Sequence, residues 1–238
     1  MARHRRTRRR SQKKLSRRRA RKAVPVQRGG AITKVVIQTS KEPIPDSVVT
    51  QLKKHLTGYE YKHFSDDDIL AFFKENPLEE FPDTEGVFQS FASGPHKADL
   101  FRYYYLYIRG GTFIDGDLML YDSLSSILGS SRFVSVWALR PEGSVFNGFL
   151  AAEPKHPILY AALKDAYSTT NDQLQADYTL FCKNLGGFVQ GNSAEGVKML
   201  KELMNNDTFC KIQDPVSEKI SLIHYQSMDI PDKPPIET

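Results

Sequence analysis

One stretch, Lys97–Tyr121, constrains the fold more than any other part of the chain. It begins as an apolar helical pattern, breaks at Gly110-Gly111 and continues as a short hydrophobic strand that ends at Asp115-Gly116-Asp117. Glycine accepts the left-handed conformation that ends helices. Two carboxylates one residue apart suit a hard divalent cation, and open α/β sheets bind ligands outside the carboxyl ends of their strands. This order predicts an α/β fold with a ligand site at the two aspartates.

The helix in this stretch carries a charged face although it is apolar on nearly all other sides. An apolar helix of this kind is typical of a buried helix. Asp99, Arg102 and Tyr103 share one face because they are spaced i, i+3 and i+4. Burying a charged pair is costly unless the pair is satisfied or used in function. Asp99 and Arg102 therefore form either a structural ion pair or a pair used in function, and the two roles are compatible.

The same stretch resembles the DXD-containing glycosyltransferases of family 32, which include yeast outer-chain mannosyltransferases and vertebrate α-1,4-galactosyltransferases. A lone D-x-D would be a weak signal, but many more positions match the family signature at its spacing. They are Ala98, Asp99, Arg102, Tyr103, Leu106, Tyr107, Gly110, Gly111, Phe113, Asp115 and Asp117. The resemblance implies a single nucleotide-sugar-binding domain with the GT-A, Rossmann-like fold. It also implies a metal-dependent hexosyltransferase that retains the anomeric configuration and uses a glycan or other acceptor.

Roles for particular residues also follow from the resemblance. Asp99, Arg102 and Asp117 are expected to be catalytic. The residues expected to contact the nucleotide-sugar donor are Gln38, Thr39, Asp99, Arg102, Tyr103, Gly111 and Asp115. The carboxylate oxygens of the D-x-D motif suit Mn²⁺ or Mg²⁺. The resemblance implies that this cation lies at Asp115, Asp117 and His224. A half-buried structural histidine is the alternative reading of His224.

The first strand of the expected domain departs from the family pattern. The segment Ile32–Thr39 matches the family at Lys34, Gln38 and Thr39. Ile37 and Ser40 stand where the family usually has His and Trp. Further along, patterns predict strands at Phe133–Leu139, Val145–Ala152 and Lys219–His224, and helices at Gln175–Leu185 and Ala194–Met204.

Charge divides the chain into an arm and a domain. Residues 1–22 hold 13 of the 33 Lys and Arg residues and no acid, so the remaining 20 basic residues accompany all 28 acidic ones. Such a segment cannot supply a core. We expect a disordered basic arm at 1–30, a GT-A domain at 31–230 and a loose tail at 231–238. The arm is a candidate for binding nucleic acid or an anionic surface, and an inert solvated tail is the alternative.

Targeting signals and cysteines narrow the expected location. The sequence contains no run of about 18 apolar residues and no apolar segment of a secretory signal near its start. A cytoplasmic, virion or nuclear location is therefore favoured over the Golgi lumen. Cys182 and Cys210 are expected to be free thiols.

Two other functional readings compete with the transferase. A phosphatase of the haloacid dehalogenase type also has a hydrophobic strand ending in D-x-D, but it usually begins with that strand and needs Thr or Val where this chain has Met119. The second alternative is a nucleic-acid-binding protein with an inactive transferase-like domain. The retained residues Asp99, Arg102, Asp115 and Asp117 argue against an inactive domain.

The arm generates a testable prediction. Deleting residues 1–28 should leave the thermal stability nearly unchanged, because this segment has too few apolar residues to bury. Binding of the full chain to RNA, DNA or anionic vesicles should weaken steeply as salt rises, since released counterions drive such binding. The measurement is a salt titration of binding for the full and truncated chains. Salt-insensitive binding, or a truncated domain that does not fold, would contradict the prediction.

Overall fold

A computed structural model of the protein describes residues 31–192, 195–204, 208–225 and 228. The predicted arm at 1–30 and the predicted tail at 231–238 lie outside the described residues. The described part of the chain contains helices interspersed with strands, and this confirms the predicted α/β class.

Nine strands form one sheet within the described residues. They are β1 Val35–Thr39, β2 Glu60–Phe64, β3 Gly111–Ile114, β4 Leu118–Leu120, β5 Phe133–Trp137, β6 Phe149–Ala152, β7 Val197–Met204, β8 Phe209–Gln213 and β9 Ile220–Tyr225. The helices are α1 Asp46–Lys54, α2 Asp66–Glu75, α3 Thr84–Ser90, α4 Gly94–Arg109, α5 Leu124–Leu128, α6 Pro157–Ser168, α7 Asn171–Ala176 and α8 Leu180–Gln190.

The sheet is mixed and strongly curled. Its strand order is β2-β1-β3-β6-β5-β7-β8-β9-β4. Strands β2, β1 and β3 run parallel, β5 runs parallel to β7, and the other neighbouring pairs are antiparallel. Strands β3 and β4 are six positions apart in this order, which is roughly 29 Å in a flat sheet. Only Asp115-Gly116-Asp117 joins them, and such a link spans at most about 14 Å. The sheet must therefore curl until β4 and β9 face the end of β3.

Helix α4 is the most deeply buried helix of the described chain, as its sequence predicts. Ten of its residues are buried, and it packs in the main core with α6 and α8. The helix ends at Gly110, which has φ +65°. Gly111 follows with φ +117°, and a Cβ there would lie 2.8 Å from the Val35 carbonyl oxygen. The glycine pair thus ends α4 and lets β3 start directly against β1.

Three predicted elements differ from the structure. The helix predicted at Ala194–Met204 is wrong, because residues 197–204 form β7 between β5 and β8. The helix predicted at Gln175–Leu185 is broken, since the Asp177 carboxylate accepts hydrogen bonds from the backbone and hydroxyl of Thr179 and separates α7 from α8. The strand predicted from Val145 begins only at Phe149; Val145 makes an isolated bridge to Trp137.

Helix α8 docks on the loop between β5 and β6 through backbone contacts. The Val145 amide donates to the Cys182 carbonyl at 2.9 Å. A Cβ on Gly186 would lie 2.0 Å from the Gly143 carbonyl oxygen, whereas a Cβ on its neighbour Gly187 would meet nothing within 4 Å. Only a glycine at 186 permits this approach.

Two adjacent substitutions test this contact. Gly186→Ala should lower the free energy of unfolding by about 1–3 kcal/mol or more, because the loop must move away from the new methyl group. Gly187→Ala is the matched control and should raise it by about 0.5–1 kcal/mol, since alanine has the higher helix propensity. Urea denaturation of both variants checks the pair. Equal effects of the two substitutions would contradict the described packing.

Candidate functional site

A cavity of about 320 Å³ lies beside the carboxyl end of β3. Charged and polar side chains from five separate parts of the chain line it. They include Asp99, Arg102, Asp115, Asn147, Glu202 and His224. A larger cleft of about 800 Å³ lies between β2, α2 and α4 and shares no lining residue with this cavity. The convergence of ionisable groups makes the smaller cavity the candidate site.

Arg102 is the central cation of the cavity and is buried. Its side chain lies 3.5 Å from Asp99 Oδ1 and 3.6 Å from Asp115 Oδ1. The guanidinium lies over the Phe113 ring, 3.8 Å from its centroid, and Nη1 donates to the Asn147 carbonyl oxygen. Arg102 thus connects α4, the D-x-D loop and the loop before β6, so its charge is shared between two carboxylates.

Asn147 completes the network around the charged face of α4. Its amide nitrogen donates to Asp99 Oδ1 at 3.1 Å and to the Tyr103 hydroxyl at 2.7 Å. Burial is the main reason that the pKa of Asp99 rises to about 6, with Arg102 opposing the rise. Burial also holds the pKa of Tyr103 well above its usual range, so this phenol is neutral.

The backbone of the D-x-D loop is held at both ends. The Asp115 amide donates to the Gly148 carbonyl at 2.8 Å, and the Asp115 carbonyl accepts from Gln38 Nε2 at 3.3 Å. At the other end, the Asp117 carbonyl accepts from the Tyr225 amide at 3.0 Å. The loop therefore presents its carboxylates from a fixed backbone.

The two aspartate side chains have unused capacity for a ligand. Each is about one third exposed. Asp117 Oδ1 is buried and has no hydrogen-bond partner among the described residues. Burial and repulsion from Asp115 raise the pKa of Asp117. A cation would relieve both effects, so these oxygens fit Mg²⁺ or Mn²⁺. No group of three or more His, Cys, Asp or Glu side chains in the described residues forms a ready-made metal site.

His224 reaches the same place from β9. It pairs in register with Leu118, the residue after Asp117. Its Nε2 lies 3.8 Å from Asp117 Oδ2, and its Nδ1 lies 2.8 Å from Glu202 Oε1. Burial lowers the pKa of His224, but the contacts with Glu202 and Asp117 outweigh burial and raise it. The Phe146 ring packs against the imidazole with centroids 4.4 Å apart.

Cys182 lines the cavity but is not set up as a nucleophile. Burial raises the pKa of its thiol to about 12, and a neutral thiol is a poor nucleophile. Both cysteines are free, as the sequence predicts.

The structure brings six of the nine predicted site residues together. Asp99, Arg102, Tyr103, Asp115, Asp117 and His224 lie around the cavity or its D-x-D loop. Gly111 lies at the opposite end of β3, against Val35, and its donor contact stays a prediction. Gln38 is fully buried and its amide is occupied, because it accepts from the Tyr61 hydroxyl at 2.9 Å and donates to Asp115. It holds the D-x-D loop, and its predicted donor contact stays a prediction. Thr39 ends β1 and is half-buried, and its donor contact remains a prediction.

Several residues of the site were not assigned a role from the sequence, and three of them contact the predicted site residues. They are Asn147, Glu202 and Phe146. Glu202 lies in the segment predicted as a helix, so its position facing His224 could not be inferred. Asn147 and Phe146 lie in a segment predicted as strand, and no local pattern marked them as functional.

Comparison with known proteins agrees with this geometry. Residues 45–134 match a family described as glycosyltransferase sugar-binding region containing DXD motif. This segment includes α4, β3 and the D-x-D loop. The predicted resemblance to DXD-containing glycosyltransferases is thereby confirmed, and it leaves no support for the phosphatase reading.

Individual relatives are glycosyltransferases by name. The chain is 32% identical over 106 residues to inositol phosphoceramide mannosyltransferase 1 of Schizosaccharomyces pombe, covering 44% of this chain and 31% of that protein. It is 27% identical over 134 residues to the uncharacterized glycosyltransferase L373 of Acanthamoeba polyphaga mimivirus, covering 53% of each. The chain thus spans about a third and about half of the lengths of these curated relatives.

One solved structure is similar at a low level. The PaToxG glycosyltransferase has a TM-score of 0.47 and 16% identity over 67% of this chain and 68% of that chain. None of the helices in the described part of the chain has the length and apolar character needed to cross a membrane.

The buried carboxylate of Asp99 generates a prediction about pH. The groups that face it are Arg102, Asp115, His96 and Asn147. Its pKa is about 6 in the folded protein and about 3.9 in an unfolded chain, so the folded state binds the proton more tightly. Asp99 therefore contributes stability at low pH that is lost as pH rises through 6. Asp99→Asn should gain about 2–3 kcal/mol relative to wild type between pH 4 and pH 7.

Denaturation at several pH values measures this difference. Asp172→Asn removes a carboxylate from an exposed residue and is the control, with an expected difference near zero at every pH. A pH-independent difference for Asp99→Asn would show that the carboxyl group is not perturbed by burial.

Proposed function

We propose that this protein is a metal-dependent glycosyltransferase that moves a hexose from a nucleotide-sugar donor to a glycan or other acceptor. One observation carries the proposal. Charged residues of α4, the D-x-D loop and β9 converge on one cavity at the carboxyl end of β3. Ligands of open α/β sheets bind in this position.

The chemistry of the donor explains why these residue types are needed. When the sugar leaves, negative charge develops on the diphosphate. A divalent cation, when bound, acts as a Lewis acid that stabilises this charge. Asp115, Asp117 and His224 would hold the cation. Arg102 keeps Asp99 and Asp115 in place through contacts on both sides, and Asp99 is positioned to meet the sugar hydroxyls inside the cavity.

The relatives suggest which donor to examine first. One is named a mannosyltransferase, so a nucleoside diphosphate mannose is the first donor to test. We also propose that the enzyme retains the anomeric configuration of the sugar, because the family that the chain resembles does so.

A nucleic-acid-binding protein with an inactive domain is the alternative function. The basic composition of residues 1–22 favours it, and these residues lie outside the described part of the chain. The intact network around Arg102 favours the transferase. The two functions do not exclude each other, because the arm and the D-x-D loop are different parts of the sequence.

Asp117→Asn tests the proposed reaction. The substitution keeps the size of the side chain and one acceptor oxygen, but it removes the charge that would hold the cation. The loss of several kcal/mol of transition-state stabilisation should lower donor turnover about a thousandfold or more. The free energy of unfolding should be unchanged or higher, because burial and Asp115 already disfavour the ionised form. Sugar release across a Mn²⁺ titration is the measurement.

A binding assay without turnover completes this test. Wild type should show a thermal shift with the cognate nucleotide sugar that depends on Mn²⁺, because a ligand that binds only the folded state raises its stability. Asp172→Asn should behave as wild type in both assays. Near-normal turnover by Asp117→Asn at low Mn²⁺ would reject the metal assignment.

A further inference from the structure

Glu202 is a buried carboxylate with three partners among the described residues. It lies on β7 and is 7% exposed. A buried charge is stable only when hydrogen bonds satisfy it. Glu202 Oε2 accepts from the Leu139 amide at 2.8 Å, the Cys210 thiol donates to the carboxylate, and Oε1 lies 2.8 Å from His224 Nδ1. The carboxylate is thus fixed by the protein backbone on one side and by His224 on the other.

The contact with Glu202 selects the orientation of the His224 ring. An ionised carboxylate can only accept a hydrogen bond, so Nδ1 must carry the proton that it donates. The other ring nitrogen, Nε2, then faces Asp117 Oδ2 at 3.8 Å. The Phe146 ring packs on the imidazole and restricts its rotation. The ring therefore has one favoured position, in which Nε2 is directed at the D-x-D loop.

A neutral imidazole in this orientation presents a lone pair toward the aspartates. Asp117 Oδ1 is buried without a partner among the described residues. A lone pair and carboxylate oxygens that face one another favour a positive charge between them. A second carboxylate behind a metal-facing histidine fixes its tautomer and strengthens its basicity.

We propose that Glu202 is a positioning residue that holds His224 with Nδ1 protonated and Nε2 directed at the D-x-D carboxylates. This inference rests on the proposed function, because it assumes that Nε2 serves a bound cation. Glu202 contacts Nδ1, the ring nitrogen that does not face Asp117, so its effect on a cation at the D-x-D loop would pass through that ring.

The tautomer is measured first, on the wild-type protein. Long-range ¹H–¹⁵N correlation spectra of the His224 ring, recorded with Mg²⁺ and a nucleoside diphosphate, should show a protonated Nδ1 and an unprotonated Nε2. The opposite tautomer would overturn the proposal. This measurement needs no variant and no turnover.

Affinity for the cation is measured next. Glu202→Met keeps a side chain of similar length but replaces the carboxylate with a thioether, which is only a weak acceptor. Calorimetric titration with Mn²⁺ in the presence of a nucleoside diphosphate should show an affinity about 10- to 100-fold weaker than wild type. Glu202→Gln retains an oxygen that can accept from Nδ1 and should recover part of the loss. If Glu202→Met does not fold, Glu202→Gln replaces it in the titration. Glu79→Gln removes an exposed carboxylate and should bind as wild type.

A double-mutant cycle decides whether Glu202 acts through His224. If it does, Glu202→Met should weaken Mn²⁺ binding in wild type but have little further effect in His224→Ala, because the ring that it positions is gone. Additive losses would overturn the proposal, and so would unchanged affinity in both Glu202 variants. Unchanged Mn²⁺ affinity in His224→Ala would instead reject the metal role of His224 in the proposed function, while the tautomer spectra would still test the positioning.

Discussion

The three-residue connection between β3 and β4 is the constraint on which the rest of the structure depends. It joins two strands that lie six positions apart in the sheet order. The sheet must therefore close on itself, and the closure brings β9 beside the D-x-D loop. The same three residues carry the two carboxylates of the candidate site. The short connection between β3 and β4 thus forces the sheet to curl, and the curled sheet brings other strands around this same connection.

The charges of the site are held by a small number of shared contacts. Arg102 forms ion pairs with Asp99 and Asp115. Asn147 donates hydrogen bonds to Asp99 and Tyr103. The Glu202 carboxylate forms a hydrogen bond with His224. Buried ionic groups are costly to desolvate, and removing one partner leaves the other unsatisfied. The network is therefore better explained by the need to place charges for a ligand than by a gain in stability. Asp117 and Asn147 each have one buried side-chain oxygen without a hydrogen-bond partner among the described residues, so the network remains open at these two residues.

The extent to which the sequence predicted the structure depends on how local each feature is. Lys97–Tyr121 contains its own helix pattern, its glycine break and its strand, so the positions of Asp99, Arg102 and the two aspartates followed from adjacent residues. The segment 197–204 was misassigned because its apolar residues fit both a helix and a half-buried strand. Only pairing with β5 and β8 decides between them. The contact of Glu202 with His224 depends on three strands in the right register, and no local pattern encodes that register.

The order of these elements along the chain has a consequence for how the site is completed during folding. The segment that matches the family, residues 45–134, contains α4 and the D-x-D loop. Strand β4 pairs only with β9 among the described strands, and β9 follows it by about a hundred residues. Contacts this far apart in sequence form late, because a long loop must close first. The aspartates are synthesised before His224, so they can acquire this histidine neighbour only after β9 has left the ribosome.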